Sequence, residues 1–335
     1  MPRSTTEERV PLDLGTARFS YVRVERASDL PAPDPTAVDV AVLDMNHGYS
    51  NVGHDAIVTM IRDQAGALDG ELAARGARVR VTSYAVRDRL MVPDHRSGRH
   101  LLYVGTGGPG HLDPHRNTEE RGTQFIREDP SWEAPLWKLF EDVAVDENAA
   151  LYGVCHTFGL LCRWSGAAEP VLREEGPTSG VGTNLLTQQA LAHPWFAALA
   201  DGGDARVPVL DSRYYDLIPR SPAFPRGMTA IAYASDAAGK PDPALTMLEV
   251  ARDRDARTPR IFAVNSHPEI GAAERVAGLL DRMLERGTIT REVYDQRSAL
   301  LPVLRSDRRE ERLRVGRLVF SDLIERRLER LVRAA

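Results

Sequence analysis

The run Val38-Asp39-Val40-Ala41-Val42-Leu43 is short, rich in β-branched residues and almost entirely apolar. Such a run is typical of a strand that is buried on both faces, as strands of a parallel sheet are. A polar loop follows at residues 44–51, and apolar residues then recur at helical spacing up to Gly76, where the pattern predicts a helix end. The stretch therefore predicts a strand, a loop and a helix in that order.

Three further strand-like runs continue this order along the chain. They lie at residues 79–81, 101–104 and 151–154, and each leads into a helix-like or glycine-rich segment. Alternation of strands with helices predicts a parallel sheet that is covered by helices on both faces. From Val207 the runs are shorter and more mixed, and we expect them to form an antiparallel extension of the sheet. These later runs are at residues 207–210, 228–233, 245–250 and 261–264.

The composition is that of an ordinary globular protein. Of 335 residues, 42% are hydrophobic and 27% are charged, which excludes the collagen-like, disordered and disulfide-stapled classes. The formal net charge of −5 creates no field that would attract a polyanion, so nucleic acid is an unfavourable partner. No segment has the apolar length of a signal peptide or a membrane span, so we expect a cytoplasmic location and no membrane partner.

We divide the chain into an N-terminal extension at residues 1–37, one α/β domain at 38–285 and a helical extension at 286–335. Between residues 310 and 332, apolar side chains recur at helical spacing among arginines and glutamates. Packing of this amphipathic helix onto its own domain is the favoured interpretation, and a homo-oligomer formed through it is the alternative. Gly316 weakens the helix by about 1 kcal/mol relative to alanine.

The loops that follow the strands are where function is expected, because ligands collect beyond the carboxyl ends of parallel strands. In the first such loop, Gly153-Val154-Cys155-His156-Thr157-Phe158-Gly159, a thiol lies between a buried strand and a helix. A sharp turn of this kind exposes the side chain at the sheet edge and aims helix N–H groups at it. Cys155 is therefore a candidate nucleophile, and a small buried cysteine is the alternative.

Two other loops complete the candidate site. His267 and Glu269 follow the strand at residues 261–264, and in extended chain their side chains would share a face. The carboxylate can then orient an imidazole that takes a proton from sulfur. The loop Gly105-Thr106-Gly107-Gly108-Pro109-Gly110 can offer a backbone N–H to a developing oxyanion. It lacks the Lys-Ser or Lys-Thr that a phosphate-binding loop requires, so a nucleotide site is disfavoured.

Together the three loops resemble the class I glutamine amidotransferase family, the Cys-His-Glu glutaminase domains. The resemblance covers residues 38–285 and includes the acidic first strand end, the segment His193-Pro194-Trp195-Phe196 and the order and spacing of the three loops. It implies a flavodoxin-like, mostly parallel α/β sheet with helices on both faces. It also implies a thioester intermediate, with Cys155 as nucleophile, His267 as base and then acid, and Glu269 as its orienting partner.

The same resemblance assigns the remaining site residues. Gly108 and His156 would donate backbone N–H groups to the oxyanion, and Gly107 and Thr157 would line the oxyanion and substrate-binding loops. The family pattern after the cysteine is Gly-x-Gln two residues on, whereas this chain has Thr157, Phe158 and Gly159. A His-Ser pair common in the family is replaced around residues 213–216. These departures leave the identity of the amide substrate open.

The sequence thus predicts a cysteine-dependent amide hydrolase or amidotransferase that acts on a small carboxamide or acyl substrate. Two alternatives stay open: an acyltransferase with the same triad, and a degenerate family member that binds or assembles without turnover. If ammonia is released, a separate synthetase subunit could accept it. We expect no cofactor and no metal.

Other histidines are candidates for metal ligands. The pairs His95 with His100 and His111 with His115 lack the helical HExxH spacing and a thiolate partner, so solvent-exposed loop histidines are the favoured interpretation. At the end of the first strand, residues 47–51 include His47, Tyr49 and Asn51. These side chains either line the pocket or cap the loop.

Overall fold

Twelve strands form one mixed sheet in the part of the chain that the structure describes. The computed structural model describes residues 17–49, 51–118, 126–174, 176–178, 180–200, 202–221, 224–235, 240–270, 273–285, 287, 289–299, 301–305 and 309–335. The strands are β1 (Phe19–Val24), β2 (Ala37–Asp44), β3 (Arg78–Ala85), β4 (Leu102–Gly105), β5 (Ala150–Val154), β6 (Ala168–Leu172), β7 (Gly180–Leu186), β8 (Arg206–Asp211), β9 (Tyr215–Pro219), β10 (Thr229–Ser235), β11 (Pro241–Arg252) and β12 (Pro259–Val264).

Helices connect and flank these strands. The α-helices are α1 (Val52–Ala67), α2 (Asp69–Arg75), α3 (Val86–Arg89), α4 (Glu133–Val145), α5 (His156–Ser165), α6 (Gln188–Leu191), α7 (Ala273–Glu285), α8 (Arg291–Ser298), α9 (Leu301–Leu304), α10 (Arg309–Gly316) and α11 (Asp322–Ala334). Short 3₁₀ helices lie at Ala27–Asp29, His95–Ser97, Pro114–Arg116, Pro130–Trp132, Phe196–Leu199 and Pro268–Ile270, and a π-helical turn spans Arg317–Ser321.

The sheet has a parallel half and an antiparallel half. Its main order is β1-β3-β2-β4-β5-β12-β11-β10-β7-β8, with β9 paired to β11 and β6 paired to β9. The pairings from β1 to β12 are parallel, and all the others in the described sheet are antiparallel. The antiparallel extension expected from Val207 onwards is present, and β12 joins it to the parallel half.

The expectation of a mostly parallel sheet needs correction, because the antiparallel half is as large as the parallel one. Short connections explain the difference. Residues 253–258 alone link β11 to β12. A parallel neighbour needs a crossover of a dozen residues or more, so such a link can join only antiparallel strands. The α/β class and the helices on both faces are as expected.

Alternate side chains of β2 enter two separate cores, as the period of a strand requires. Val40 and Val42 belong to the core on one face, beneath α1 and the C-terminal helices. Ala41 and Leu43 belong to the core on the other face, beneath α4 and α5. The sheet is therefore buried on both sides, and its carboxyl-terminal edge is where the loops of interest converge.

The N-terminal strand β1 is part of this sheet. It pairs in parallel with β3, with Phe19 opposite Val79 and Val24 opposite Tyr84. The structure therefore places residues 19–24 inside the α/β sheet, although the sequence-based division put them in an extension.

The C-terminal extension packs back onto its own domain. Val319, Leu323, Leu328 and Val332 are fully buried in the same core as β2. This burial removes the apolar stripe on which the homo-oligomer alternative was based. Burying one such aliphatic side chain contributes about 1.5–3 kcal/mol, so this face stabilises the fold substantially. Within the described part of the chain, no helix combines the length and the apolar character needed to cross a bilayer.

Candidate active site

Cys155 lies at a sharp turn between β5 and α5. Its backbone has φ 48° and ψ −101°, a left-handed conformation that is uncommon for a residue with a side chain. Its N–H donates to the carbonyl of Val264 at the end of β12, at 2.8 Å, which fixes the turn to the neighbouring strand. The thiol is partly exposed, and α5 begins at the next residue. The strained turn thus presents sulfur at the sheet edge, as the sequence predicts.

His267 and Glu269 follow β12 in a compact turn rather than in extended chain. The N–H of His267 donates to the carbonyl of Leu210 in β8 at 2.9 Å, and a 3₁₀ turn begins at Pro268. Within this turn, Nδ1 of His267 lies 2.9 Å from Oε1 of Glu269. The carboxylate side chain is completely buried, whereas the imidazole is 14% exposed. The turn brings the two side chains together even though they are not on one strand face.

Gly107 lies between the thiol and the imidazole. A β-carbon at this position would lie 3.2 Å from Cε1 of His267 and 3.8 Å from Sγ of Cys155. The two side chains also form a hydrogen bond with each other. The structure therefore brings Cys155, His267 and Glu269 to one place, and Gly107 is the residue whose missing side chain leaves them room.

The charges around His267 decide its protonation. Burial alone lowers the pKa of the imidazole, but the carboxylate of Glu269 and the sulfur of Cys155 raise it, and the net pKa lies well above the ordinary value. The site therefore favours an imidazolium between two negative groups. A proton held at this position can be passed between sulfur and a leaving group.

The oxyanion loop is held rigidly by Thr106, which the sequence analysis did not single out. Its hydroxyl accepts from the N–H of Met45 at 2.9 Å and donates to the carbonyl of Gly107 at 2.8 Å. Because a trans peptide directs C=O and N–H to opposite sides, the N–H of Gly108 points away from Thr106. A β-carbon at Gly108 would overlap the carbonyl oxygen of Met45, so only glycine fits there.

His156 and Thr157 occupy different environments from those expected of ligand-binding side chains. The ring of His156 is buried and hydrogen-bonded to the backbone of Gly108. The hydroxyl of Thr157 donates to the carbonyl of Thr106 at 2.8 Å, and this side chain is completely buried. Thr157 thus secures the oxyanion loop from below and does not line a substrate pocket. His156 can contribute only its backbone N–H.

Neighbouring glycines make the space that Thr157 needs. A β-carbon at Gly105 would overlap the Thr157 side chain, and one at Gly153 would lie 2.7 Å from its Cγ2. The space beside Gly159, where the family has a glutamine, is filled by the side chain of Leu112. The unusual residues after the cysteine therefore belong to a packed arrangement that keeps the turn intact.

This arrangement makes a testable prediction about stability. Gly153→Ala should destabilise the chain by about 1–3 kcal/mol, because its new methyl group would overlap Cγ2 of Thr157. Adding Thr157→Ser removes that methyl and keeps the hydroxyl, so the double variant should recover most of the loss. Urea unfolding of both single variants and the double variant gives the coupling energy. Simple additivity of the two single effects would contradict the packing described here.

Asn51 caps α1, which is the second of the two roles considered for the loop at residues 47–51. Its side-chain oxygen accepts from the N–H of Gly53 at 2.6 Å and of His54 at 3.4 Å. A β-carbon at Gly53 would lie 2.8 Å from Oε1 of Glu269, so the first turn of α1 lies against the carboxylate. The cap therefore fixes the helix end that covers Glu269.

The expectation of exposed loop histidines is wrong for two of them. His100 is buried, with Nε2 2.8 Å from the hydroxyl of Tyr84, and burial lowers its pKa to about 4. His111 is also buried, and its Nδ1 accepts from the N–H of Asp113 at 2.8 Å. His115 is exposed as expected. Among the described residues, no group of three potential ligand side chains could hold a metal ion.

A buried ion pair borders the thiol, at the position where the family pattern is missing. The carbonyl of Ser212 lies 3.9 Å from Sγ of Cys155, and the next residue, Arg213, donates to Asp211 at 2.8 Å. Burial raises the pKa of Asp211, and the charges of Arg213 and His267 act in the opposite direction. No sequence signal indicates this pair, because neither residue matches a motif.

Comparison with known proteins adds only distant similarities. No family model and no curated protein matches this chain. A glutamine amidotransferase from Methylobacillus flagellatus is 15% identical over 84% of this chain and 94% of its own, with a TM-score of 0.45. PurLQS from Thermotoga maritima is 10% identical (78% and 97%, TM-score 0.43). A protein from Thermoplasma acidophilum that is described as a proposed GMP synthase component is 13% identical (81% and 97%, TM-score 0.42).

Proposed function

We propose that this chain is a cysteine-dependent amidase of the glutamine amidotransferase type, with a flavodoxin-like domain at its centre. The observation that carries the proposal is the meeting of Cys155 and His267 across Gly107, with Glu269 bonded to the far side of the imidazole. A strained, partly exposed cysteine beside a carboxylate-bound histidine is the arrangement that nucleophilic acyl chemistry requires.

In the proposed reaction, the imidazole of His267 takes the proton of the Cys155 thiol, and the sulfur attacks the carbon of a primary carboxamide. The C–S bond forms as the carbonyl π electrons move onto oxygen. The N–H groups of Gly108 and His156 stabilise this oxyanion. His267 then gives its proton to the leaving nitrogen, the C–N bond breaks, and ammonia and a thioester result.

Water completes the cycle. His267 removes a proton from water, hydroxide attacks the thioester carbon, and collapse of the second oxyanion releases a carboxylic acid and returns the proton to sulfur. Glu269 keeps the imidazole in the required tautomer throughout. A separate synthetase subunit that accepts the ammonia is part of this proposal.

The degenerate alternative loses its main support once the elbow is seen in three dimensions. Its motivation is Thr157 in place of a glycine, but Thr157 packs beneath the turn against Gly105 and Gly153. Acyl transfer to an amine or alcohol uses the same residues and differs only in what attacks the thioester. Comparing the products formed with and without added amine would separate it from hydrolysis.

Selective labelling tests the proposal, because the chain has its own control. Cys162 is a fully buried cysteine on α5, and burial raises the pKa of its thiol well above the ordinary value. A chloroketone analogue of glutamine should therefore add once to the native chain, at Cys155, as read by mass spectrometry of the intact protein and its peptides. Native chain that stays unlabelled, while unfolded chain reacts at both cysteines, would refute a nucleophilic role for Cys155.

A further inference from the structure

The C-terminal extension contacts the turn that carries His267. We call residues 309–321 the C-terminal brace; they comprise α10 and the π-helical turn Arg317–Ser321. A β-carbon at Gly316 would lie 3.1 Å from the carbonyl oxygen of Pro268, which is closer than most β-carbon contacts. Gly316 therefore touches the residue that lies between His267 and Glu269.

Little space separates the brace from this turn. The cavity between them measures only about 20 Å³, roughly the space of one water molecule. It is bounded on one side by Arg312, Val315 and Gly316 and on the other by His267 and its neighbours. The turn therefore cannot move far towards the brace without closing the gap.

The brace itself is anchored to elements remote from the thiol. The indole N–H of Trp195 donates to the carbonyl of Leu318 at 2.6 Å, and the side-chain amide of Gln64 in α1 donates to the carbonyl of Ser321 at 2.8 Å. Val319 is completely buried in the core. With the brace held on several sides, pressure at Gly316 must be relieved by the short turn at Pro268.

We propose that the brace positions the His267 imidazole, with Gly316 as the positioning residue that acts through Pro268. This inference rests on the proposed function, since it concerns how the imidazole is aimed at Cys155. It also explains why a helix that glycine weakens has glycine at this position. Any side chain there gains helix propensity and displaces the catalytic turn.

Alkylation of Cys155 by iodoacetamide tests this without knowledge of the natural substrate. At pH 7 the rate depends on the imidazole as base, whereas at pH 10 the thiol ionises without it. Gly316→Ala should slow labelling about tenfold at pH 7, because a shift of a few tenths of an ångström misaligns the two side chains. Labelling at pH 10 should be unchanged.

Gly66→Ala is the matched control. Gly66 lies in α1 and a β-carbon there meets no atom within 4 Å, so this variant gains the same helix propensity without contact. Both variants should melt at or slightly above the wild-type temperature, but only Gly316→Ala should lose reactivity at pH 7. If Gly316→Ala fails to fold, Trp195→Phe serves instead, since it removes the anchoring hydrogen bond to Leu318 and should lower only the pH 7 rate.

Each result has a distinct reading. If Gly316→Ala reacts as fast as wild type at pH 7 and keeps its fold, the positioning role is overturned and the proposed function stands. If wild-type Cys155 itself reacts no faster at pH 7 than an ordinary cysteine thiol, the proposed function and the inference both fail. Loss of reactivity in Gly66→Ala as well would show a general effect of helix stiffness and would also overturn the positioning role.

Discussion

Cys155→Ser is expected to lower carboxamide turnover by at least about 10⁴-fold without unfolding the chain. Serine keeps nearly the same shape, so the left-handed turn and its bond to Val264 should persist. An imidazole that is set up for a thiol cannot ionise a hydroxyl of much higher pKa, so the first step should fail. Ammonia release from L-glutamine and a series of primary carboxamides measures the effect.

Cys162→Ala provides the comparison for this experiment. Cys162 is buried in the core beneath the sheet and reaches no part of the candidate site, so its loss should cost stability and leave the rate constant per folded molecule unchanged. Retained turnover in Cys155→Ser would show that the sulfur is not the nucleophile. Equal losses in both variants would point to damage of the fold.

Glu269→Gln is expected to lower turnover by about 10³–10⁴-fold, with little change in KM. The amide has the same shape as the carboxylate but no charge, so it neither stabilises an imidazolium nor fixes the tautomer of His267. Because the Glu269 carboxylate raises the pKa of His267, its removal should move the pH–rate limb that reports loss of this proton to lower pH. A lower rate with an unshifted limb would contradict the orienting role.

The same variant should change the pH dependence of stability. The pKa of His267 is higher in the folded chain than its unfolded value of about 6.5, so the stabilisation is fully present below that pH and is lost as pH rises through the folded pKa. The difference in urea midpoint between wild type and Glu269→Gln should therefore be larger at pH 6 than at pH 10. A difference that is equal at both values would show that the carboxylate does not stabilise the charged imidazole.

Sequence predicted the elements that depend on local pattern. The run at residues 38–43 is a buried strand because its apolar side chains fill cores on both faces, and the helix expected to stop at Gly76 does so at a left-handed cap. Strand direction was predicted less well, because it depends on which strands pair. That is a property of connections between distant segments and not of any single run.

For the candidate site, sequence predicted where Cys155 and His267 would lie but not what holds the oxyanion loop. Thr106 matters only because β2 brings Met45 beside it in space, and no spacing along the chain reveals this. Thr157 was assigned to the wrong side of the turn for a similar reason. Its position depends on glycines in two neighbouring strands, Gly105 and Gly153.

The burial of α11 has a consequence for the birth of the protein. The hydrogen bond between Gln64 and Ser321 joins residues 257 positions apart, and the core beneath β2 includes Leu323, Leu328 and Val332. During synthesis, the half-finished sheet must wait on the ribosome with this apolar surface uncovered, and contacts of such long range form slowly. Chaperone capture of the nascent chain should therefore persist until residues 322–334 have emerged and covered it.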